Sequence, residues 1–150
     1  MTRLPFAPTP LTLGAVQLGM AYGVANSSGQ PSAQEATGIL DAARVAGIGV
    51  IDTARAYGDS EARIGAWLAS RGAEMKVVTK FPAVPDGTAG DRARFVAESL
   101  AASSAALGQQ TLDLVLAHRA ADLLDAGVRT ALEEARANGL IAGFGASVYT

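Results

Sequence analysis

Four polar residues each follow an apolar, strand-like run, and together with one tyrosine they could move a proton. Asp52 follows Gly-Val-Ile, Lys80 follows Val-Val-Thr, His118 follows Leu-Val-Leu-Ala, and Ser147 follows Gly-Phe-Gly-Ala, while Tyr57 lies in the loop after Asp52. In parallel α/β folds the loops after the strands converge on one face. We therefore predict one shared site that contains an acid, an amine, an imidazole and a phenol, the groups of general acid–base catalysis.

These residue types fit the protonation of a carbonyl oxygen. An ordinary phenol has a pKa of about 10, and a neighbouring ammonium favours its phenolate form. We expect Lys80 to provide that charge for Tyr57, Asp52 to hold Lys80, and His118 to hydrogen-bond a substrate carbonyl. The Tyr57 hydroxyl is then expected within hydrogen-bond reach of Lys80 or His118. Because protonation at oxygen requires a hydride at carbon, a nicotinamide cofactor, NADP(H) or NAD(H), is the expected donor.

Each of these residues also has an ordinary structural explanation. Taken alone, Asp52 is a helix or turn cap, Tyr57 a surface aromatic, Lys80 a solvated lysine, and His118 a histidine of the core. The functional interpretation rests on their common position, since the period of the strands places them at one end and on one face.

Composition excludes several other classes of function. The chain has 150 residues and a net charge of −2, which suits one domain and gives no indication of nucleic acid or an anionic membrane as partner. It contains no cysteine and a single histidine, so disulfides, thiolate chemistry and a multi-histidine metal site are excluded, and no metal is predicted. No apolar run approaches the ~20 residues of a membrane helix. The N-terminus does not resemble a signal peptide, so the predicted location is the cytoplasm.

Strand-like and helical segments alternate along the chain. Strands are predicted near 11–16, 48–52, 76–80, 112–117 and 141–146. Helices are predicted from the capping box of Ser32 and Glu35 to Gly47, and roughly over 60–71, 91–107 and 122–137. The alternation predicts right-handed βαβ units and a parallel sheet, so the fold class is α/β.

Two architectures satisfy this alternation. About five βα units are the front part of an eight-stranded (β/α)8 TIM-type barrel, whereas an open five-stranded sheet of flavodoxin type has the same strand count. The segment from Gly14 to Gly19 is neither a Rossmann fingerprint nor a P-loop.

Five longer motifs occur in order along the chain. They are Leu13-Gly-Ala-Val-Gln-Leu-Gly19, Val50-Ile-Asp-Thr-Ala-Arg-Ala-Tyr-Gly58, Val77-Val-Thr-Lys80, Leu112-Asp-Leu-Val-Leu-Ala-His118 and Ile141-Ala-Gly-Phe-Gly-Ala-Ser147. In this order they resemble the aldo-keto reductases, which are NAD(P)H-dependent barrel enzymes. The resemblance implies reversible reduction of an aldehyde or ketone, with Tyr57 as general acid, Lys80 and Asp52 tuning it, and His118 orienting the carbonyl. Residues 1–150 would then be the N-terminal portion of one barrel domain.

The resemblance also implies binding residues. Cofactor contacts are expected from Gly14, Gln17, Asp52 and Ser147, and substrate contacts from Met20, Tyr22 and His118. Val148 departs from the family pattern, because family members usually carry an asparagine there that makes a second contact with the nicotinamide carboxamide. The family's last three strands, which complete the cofactor site, are expected to be missing from this sequence.

Two expectations follow from that incomplete barrel. The 150-residue chain alone is expected to be inactive, and open edges at the first and fifth strands are expected to favour self-association. Two further hypotheses stay open: a non-catalytic truncated or regulatory relative, and a Schiff-base lyase that uses Lys80.

Overall fold

A parallel sheet of five strands, flanked by helices, forms the centre of the protein. The computed structural model describes residues 11–72 and 74–148. The strands are β1 (Leu13–Gly14), β2 (Val50–Asp52), β3 (Lys76–Phe81), β4 (Leu114–Ala117) and β5 (Phe144–Ala146). The helices are α1 (Val16–Gly19), α2 (Ala33–Val45), α3 (Ser60–Arg71), α4 (Ala89–Leu107) and α5 (Ala126–Ala137), with a 3-10 helix over Ala120–Leu124.

The strands lie side by side in chain order. Every pairing is parallel, and the order is β1-β2-β3-β4-β5. A flavodoxin-type sheet has the order 2-1-3-4-5, because its second strand lies outside the first. The observed order is that of successive units of a barrel, so the predicted alternation is confirmed and the open doubly wound alternative is wrong.

The two faces of the sheet bury different amounts of apolar surface. The main core lies between the sheet and the helices, where Ile51, Val77 and Val115 are buried. A small cluster of Val50, Val78 and Leu114 covers part of the opposite face. Because side chains alternate along a strand, Asp52 shares the face of Val50 and Lys80 that of Val78. The two charged residues therefore lie on the face away from the helices, which is the interior face of a barrel.

Local sequence signals fix most helix ends. The predicted capping box of Ser32 and Glu35 begins α2, and the unpredicted box of Thr88 and Asp91 begins α4 two residues earlier than expected. Gly108 ends α4 with a φ of 65°, in the left-handed region. None of the described helices is long and apolar enough to cross a membrane.

Several predicted boundaries were wrong by two residues or more, and three of them concern the ends of the sheet and the last helix. β1 has two residues instead of six, because the chain turns after Ala15 into α1. β5 begins at Phe144, and residue 141 makes only an isolated bridge to Leu112. The last helix begins at 126 rather than 122, since the Asp125 side chain accepts a hydrogen bond from Val128 N and caps the helix there.

Each outer strand has one neighbour within the described residues. β1 pairs with β2, and β5 pairs with β4. A cavity of about 1000 Å³ lies beside β1, where Gly14, Gln17 and Ile39 are among its lining residues. The predicted self-association through these edges stays a prediction.

Candidate active site

A buried ion pair joins the ends of β2 and β3. Lys80 Nζ donates hydrogen bonds to Asp52 Oδ1 at 2.5 Å and to the carbonyl oxygen of Thr53 at 2.9 Å. The Lys80 side chain is only 6% exposed, whereas that of Asp52 is 35% exposed. The ammonium is thus held inside the protein by a carboxylate that still reaches solvent.

The rings of Tyr57 and His118 lie beside this ion pair. Lys80 Nζ lies over the Tyr57 ring, 5.1 Å from its centroid. The His118 ring meets the Tyr57 ring edge-on, with centroids 6.0 Å apart and an interplanar angle of 88°. The structure therefore brings together all four residues expected to do the chemistry, and both rings are half-buried.

One expected contact is not found. Sequence reasoning placed the Tyr57 hydroxyl in hydrogen-bond reach of Lys80 or His118, but no such bond is among those made within residues 11–72 and 74–148. Lys80 Nζ instead donates to Asp52 Oδ1 and to the Thr53 carbonyl oxygen, and it lies 5.1 Å from the centre of the Tyr57 ring. Within the described residues the hydroxyl keeps its hydrogen-bonding capacity for another molecule.

The loop that carries Tyr57 continues along β3 beyond the end of β2. Thr53 N donates to Val78 O at 2.8 Å, and Arg55 N donates to Lys80 O at 3.0 Å. Tyr57 N then closes a turn onto Ala54 O at 3.0 Å. The backbone of this loop is therefore fixed to the strand that supplies the ammonium.

Two glycines allow the Tyr57 loop to approach α1. A Cβ at Gly19 would lie 1.7 Å from Tyr57 O, and a Cβ at Gly58 would lie 2.2 Å from Gly19 O. Gly58 also has a φ of 56°, which disfavours other residues. Any side chain at either position would push the Tyr57 backbone away from its place.

β4 and β5 position the two remaining residues at the same end of the sheet. His118 N donates to Phe81 O at 3.2 Å, and Ser147 N donates to Ala117 O at 2.9 Å. Ser147 is half-buried, and its hydroxyl makes no hydrogen bond to any other described residue. Val148, the departure from the family pattern, is 71% exposed.

The expected binding residues near β1 are more dispersed. Gly14 pairs with Asp52 in the sheet register, and a Cβ built on it would meet nothing within 4 Å. Gln17 Nε2 donates to the carbonyl oxygen of Tyr22 at 2.8 Å, so its amide serves its own loop. Met20 and Tyr22 are 37% and 58% exposed. In the part of the chain described, no hydrogen bond or ring contact joins Met20 or the Tyr22 side chain to the residues around Lys80.

An arginine beside His118 adds positive charge to the rim. Arg119 donates to Asp122 Oδ1, a carboxylate that is 2% exposed and also accepts from Val84 N at 3.0 Å. The hydrogen bond from Arg119 to Asp122, and the attraction between their charges, raise the pKa of Arg119 above its ordinary value. Among the described residues no cluster of histidine, aspartate or glutamate could hold a metal ion.

Sequence reasoning missed a buried carboxylate next to the site. Glu61 in the first turn of α3 is 1% exposed and accepts hydrogen bonds from Thr79 Oγ1 at 2.6 Å and Arg55 Nη1 at 2.9 Å. The available signal was its helical phase, since Glu61 lies one turn before the buried Ile64 and Gly65. An acidic residue in a first turn is common for electrostatic reasons, so its burial was not suspected.

These features define a class of protein: an α/β fold with parallel strands in barrel order and a tyrosine, lysine, aspartate and histidine gathered at the carboxyl ends of the strands. The Aldo/keto reductase family model matches residues 10–150. The chain belongs to the aldo-keto reductase family.

Curated relatives carry the same family name. Aldo-keto reductase str7 of Strobilurus tenacellus is 39% identical over 112 residues, which are 72% of this chain and 32% of that protein. Aldo-keto reductase ausK of Emericella nidulans is 44% identical over 77 residues, which are 49% of this chain and 19% of that protein. This chain therefore matches only a minor part of either relative.

Solved structures agree in fold. An aldo-keto reductase of Pseudomonas aeruginosa superposes with a TM-score of 0.79 at 33% identity, covering 93% of this chain and 55% of that one. A Klebsiella pneumoniae aldo-keto reductase crystallised with NADPH gives 0.70 at 25% identity, covering 92% and 45%. The chain spans about half of these barrels, which confirms the predicted TIM-type fold and its assignment to the N-terminal part.

Proposed function

We propose that this chain provides the proton-donating half of an NAD(P)H-dependent reductase that converts an aldehyde or ketone to an alcohol, reversibly. The observation that carries the proposal is the Lys80 ammonium, which is bonded to Asp52 and lies 5.1 Å from the centre of the Tyr57 ring, itself in contact with His118. A buried cation beside a phenol favours the negative charge that develops when the phenol gives up its proton.

Each residue of this group has a distinct task. Tyr57 gives its hydroxyl proton to the carbonyl oxygen as the alcohol forms, and Lys80 stabilises the resulting phenolate. Asp52 holds the Lys80 ammonium in place. His118 donates a hydrogen bond to the carbonyl oxygen and so orients it towards Tyr57.

The described residues fit the nicotinamide end of a dinucleotide. When bound, NADPH or NADH supplies the hydride. Among the described residues, the second carboxylate oxygen of Asp52 and the Ser147 hydroxyl accept or donate no hydrogen bond. These two groups and the open space beside Gly14 lie at the strand ends, and they would hold the nicotinamide ring and its carboxamide. Gln17 would contribute through its position in the loop after β1, because its amide already bonds Tyr22 O. The Klebsiella pneumoniae structures with NADPH and NADP support this class of cofactor.

The substrate is proposed to be a small carbonyl compound. His118 contacts its oxygen, and Met20 and Tyr22 offer exposed apolar surface in the loop after α1. This chain spans 55% or less of the relatives and structures described above, so turnover is proposed for a complete barrel domain. The 150-residue chain alone is expected to lack it, since the energy of binding remote parts of the cofactor positions the hydride.

The Schiff-base hypothesis is disfavoured by the same ion pair. An imine-forming lysine needs its nitrogen free to attack a carbonyl carbon, whereas Lys80 Nζ already donates to Asp52 and to the Thr53 carbonyl oxygen. A panel of aldehydes and ketones tested with NADPH and NADH separates the hypotheses. Carbonyl-dependent oxidation of the cofactor supports the reductase. Borohydride trapping of substrate on Lys80 supports the lyase. The absence of both cofactor oxidation and trapping supports a non-catalytic relative.

A further inference from the structure

The buried carboxylate of Glu61 connects the loop of Tyr57 to the strand of Lys80. Its Oε1 accepts a hydrogen bond from Thr79 Oγ1 at 2.6 Å, and its Oε2 accepts one from Arg55 Nη1 at 2.9 Å. Thr79 immediately precedes Lys80 in β3, and Arg55 lies two residues before Tyr57. One side chain thus joins the two segments that must hold the phenol beside the ammonium.

A second buried hydroxyl chain fixes the other side of the same loop. Thr53 Oγ1 donates to Ser60 Oγ at 2.9 Å, and Ser60 Oγ donates to Ala15 O at 2.8 Å. Thr53 and Ser60 are both fully buried. Residues 54–59 therefore lie between two residues whose side chains bond each other, and Ser60 also joins this end of the loop to Ala15.

The burial of Glu61 calls for an explanation beyond stability. Removing a carboxylate from water is costly, and well-packed apolar residues often serve stability as well as a buried ion pair does. The Arg55 side chain is 36% exposed, so the pair is not sealed from solvent at both ends. The hydrogen-bonded pair of Glu61 and Arg55 gives the backbone of the Tyr57 loop one defined position.

We propose that Glu61 is a positioning residue for the proton donor. Through Arg55 and Thr79, it holds the Tyr57 loop against β3, and this keeps the Tyr57 ring between the Lys80 ammonium and His118. It touches neither substrate nor cofactor. The proposal deepens the proposed function and rests on it for the role of Tyr57, but the geometry it concerns can be measured without turnover.

The matched pair Thr79→Val and Thr79→Ser tests the connection in the purified protein. Valine keeps the shape of threonine and removes the donor to Glu61, whereas serine keeps the donor. Hydrogen exchange of the Arg55 and Tyr57 amides reports local opening of the loop. We expect exchange of these amides to become about tenfold faster in Thr79→Val, as loss of one hydrogen bond to a charged group implies, and to stay close to wild type in Thr79→Ser.

Two controls separate positioning from general loss of stability. Thr111→Val removes a threonine hydroxyl bond elsewhere, the exposed one from Thr111 Oγ1 to Gly139 O at 2.7 Å near the opposite end of β4, and should leave the loop amides unchanged. Glu61→Gln keeps an acceptor for Thr79 but loses the charge that holds Arg55, and should open the same amides. Loop exchange within twofold of wild type in both Thr79→Val and Glu61→Gln would overturn the proposal. A uniform rise over all amides would overturn it as well.

Kinetic measurements on the complete reductase distinguish the positioning of Tyr57 from a role in stability alone. In Thr79→Val, kcat should fall about tenfold with KM nearly unchanged, and the solvent isotope effect on kcat should rise. In Thr79→Ser, kcat and its solvent isotope effect should both stay close to the wild-type values. An opened loop with unchanged kcat would overturn the positioning role. Full turnover by Tyr57→Phe would instead refute the proposed function, and the exchange results would stand independently.

Discussion

Replacing Lys80 by methionine tests the ion pair at the centre of the site. The change removes an ammonium that is 6% exposed and makes two hydrogen bonds, to Asp52 Oδ1 at 2.5 Å and to Thr53 O at 2.9 Å. Breaking a fully buried pair costs about 3–5 kcal/mol. Because 35% of the Asp52 side chain reaches solvent, water takes over part of the lost interaction, and we expect a loss of about 1.5–3 kcal/mol in the free energy of unfolding.

A double-mutant cycle with Asp52→Asn isolates the pair from the other effects of each change. Urea denaturation of Lys80→Met, Asp52→Asn and the double variant gives the coupling energy between the two side chains. We expect a coupling of about 1–3 kcal/mol, typical of residues in direct contact. Additivity of the two single changes within about 0.5 kcal/mol would show that the ion pair does not form in solution and would refute this reasoning.

Two further predictions concern packing and pH. Gly19→Ala places a Cβ 1.7 Å from Tyr57 O and should lower the free energy of unfolding, measured by urea denaturation, by about 1–3 kcal/mol or more. The control is Gly38→Ala, whose Cβ would meet nothing within 4 Å in α2, and it should cause no such loss. The Arg71 guanidinium, which hydrogen-bonds Asp41, lowers the pKa of Asp41 to about 2. Wild type should therefore gain stability over Asp41→Asn by an amount that is constant above about pH 5 and shrinks as the pH falls from about 4 through 2, and a difference that does not change over this range would contradict it.

The strand ends were predictable from sequence because the strand period is simple. Asp52 and Lys80 each share a face with an apolar residue two positions earlier, so the face and the end of the sheet followed from counting along the chain. The capping box of Ser32 and Glu35 was predictable for a similar local reason. The sequential order of the strands in the sheet was not predictable, because the alternation of strands and helices is equally compatible with a doubly wound sheet.

The finer geometry depends on contacts between distant segments. The Lys80 ammonium bonds both Asp52 and the carbonyl oxygen of Thr53, and these contacts depend on how the segment after β2 is placed, so the surroundings of the Tyr57 hydroxyl could not be predicted from sequence. The burial of Glu61 depends on Thr79, 18 residues further along the chain. The turn of α1 after Ala15 depends on a backbone bond to Asp52 O, which no local pattern indicates.

The central claim is that Tyr57 donates the proton to the carbonyl oxygen. The most direct measurement compares kcat and the cofactor dissociation constant of the complete reductase with those of Tyr57→Phe, which keeps the ring between Lys80 and His118 and removes only the hydroxyl. Because general acid catalysis contributes about 10²–10⁴-fold, kcat should fall by that factor while cofactor affinity changes little. A Tyr57→Phe variant that reduces carbonyl substrates at close to the wild-type rate would contradict the account.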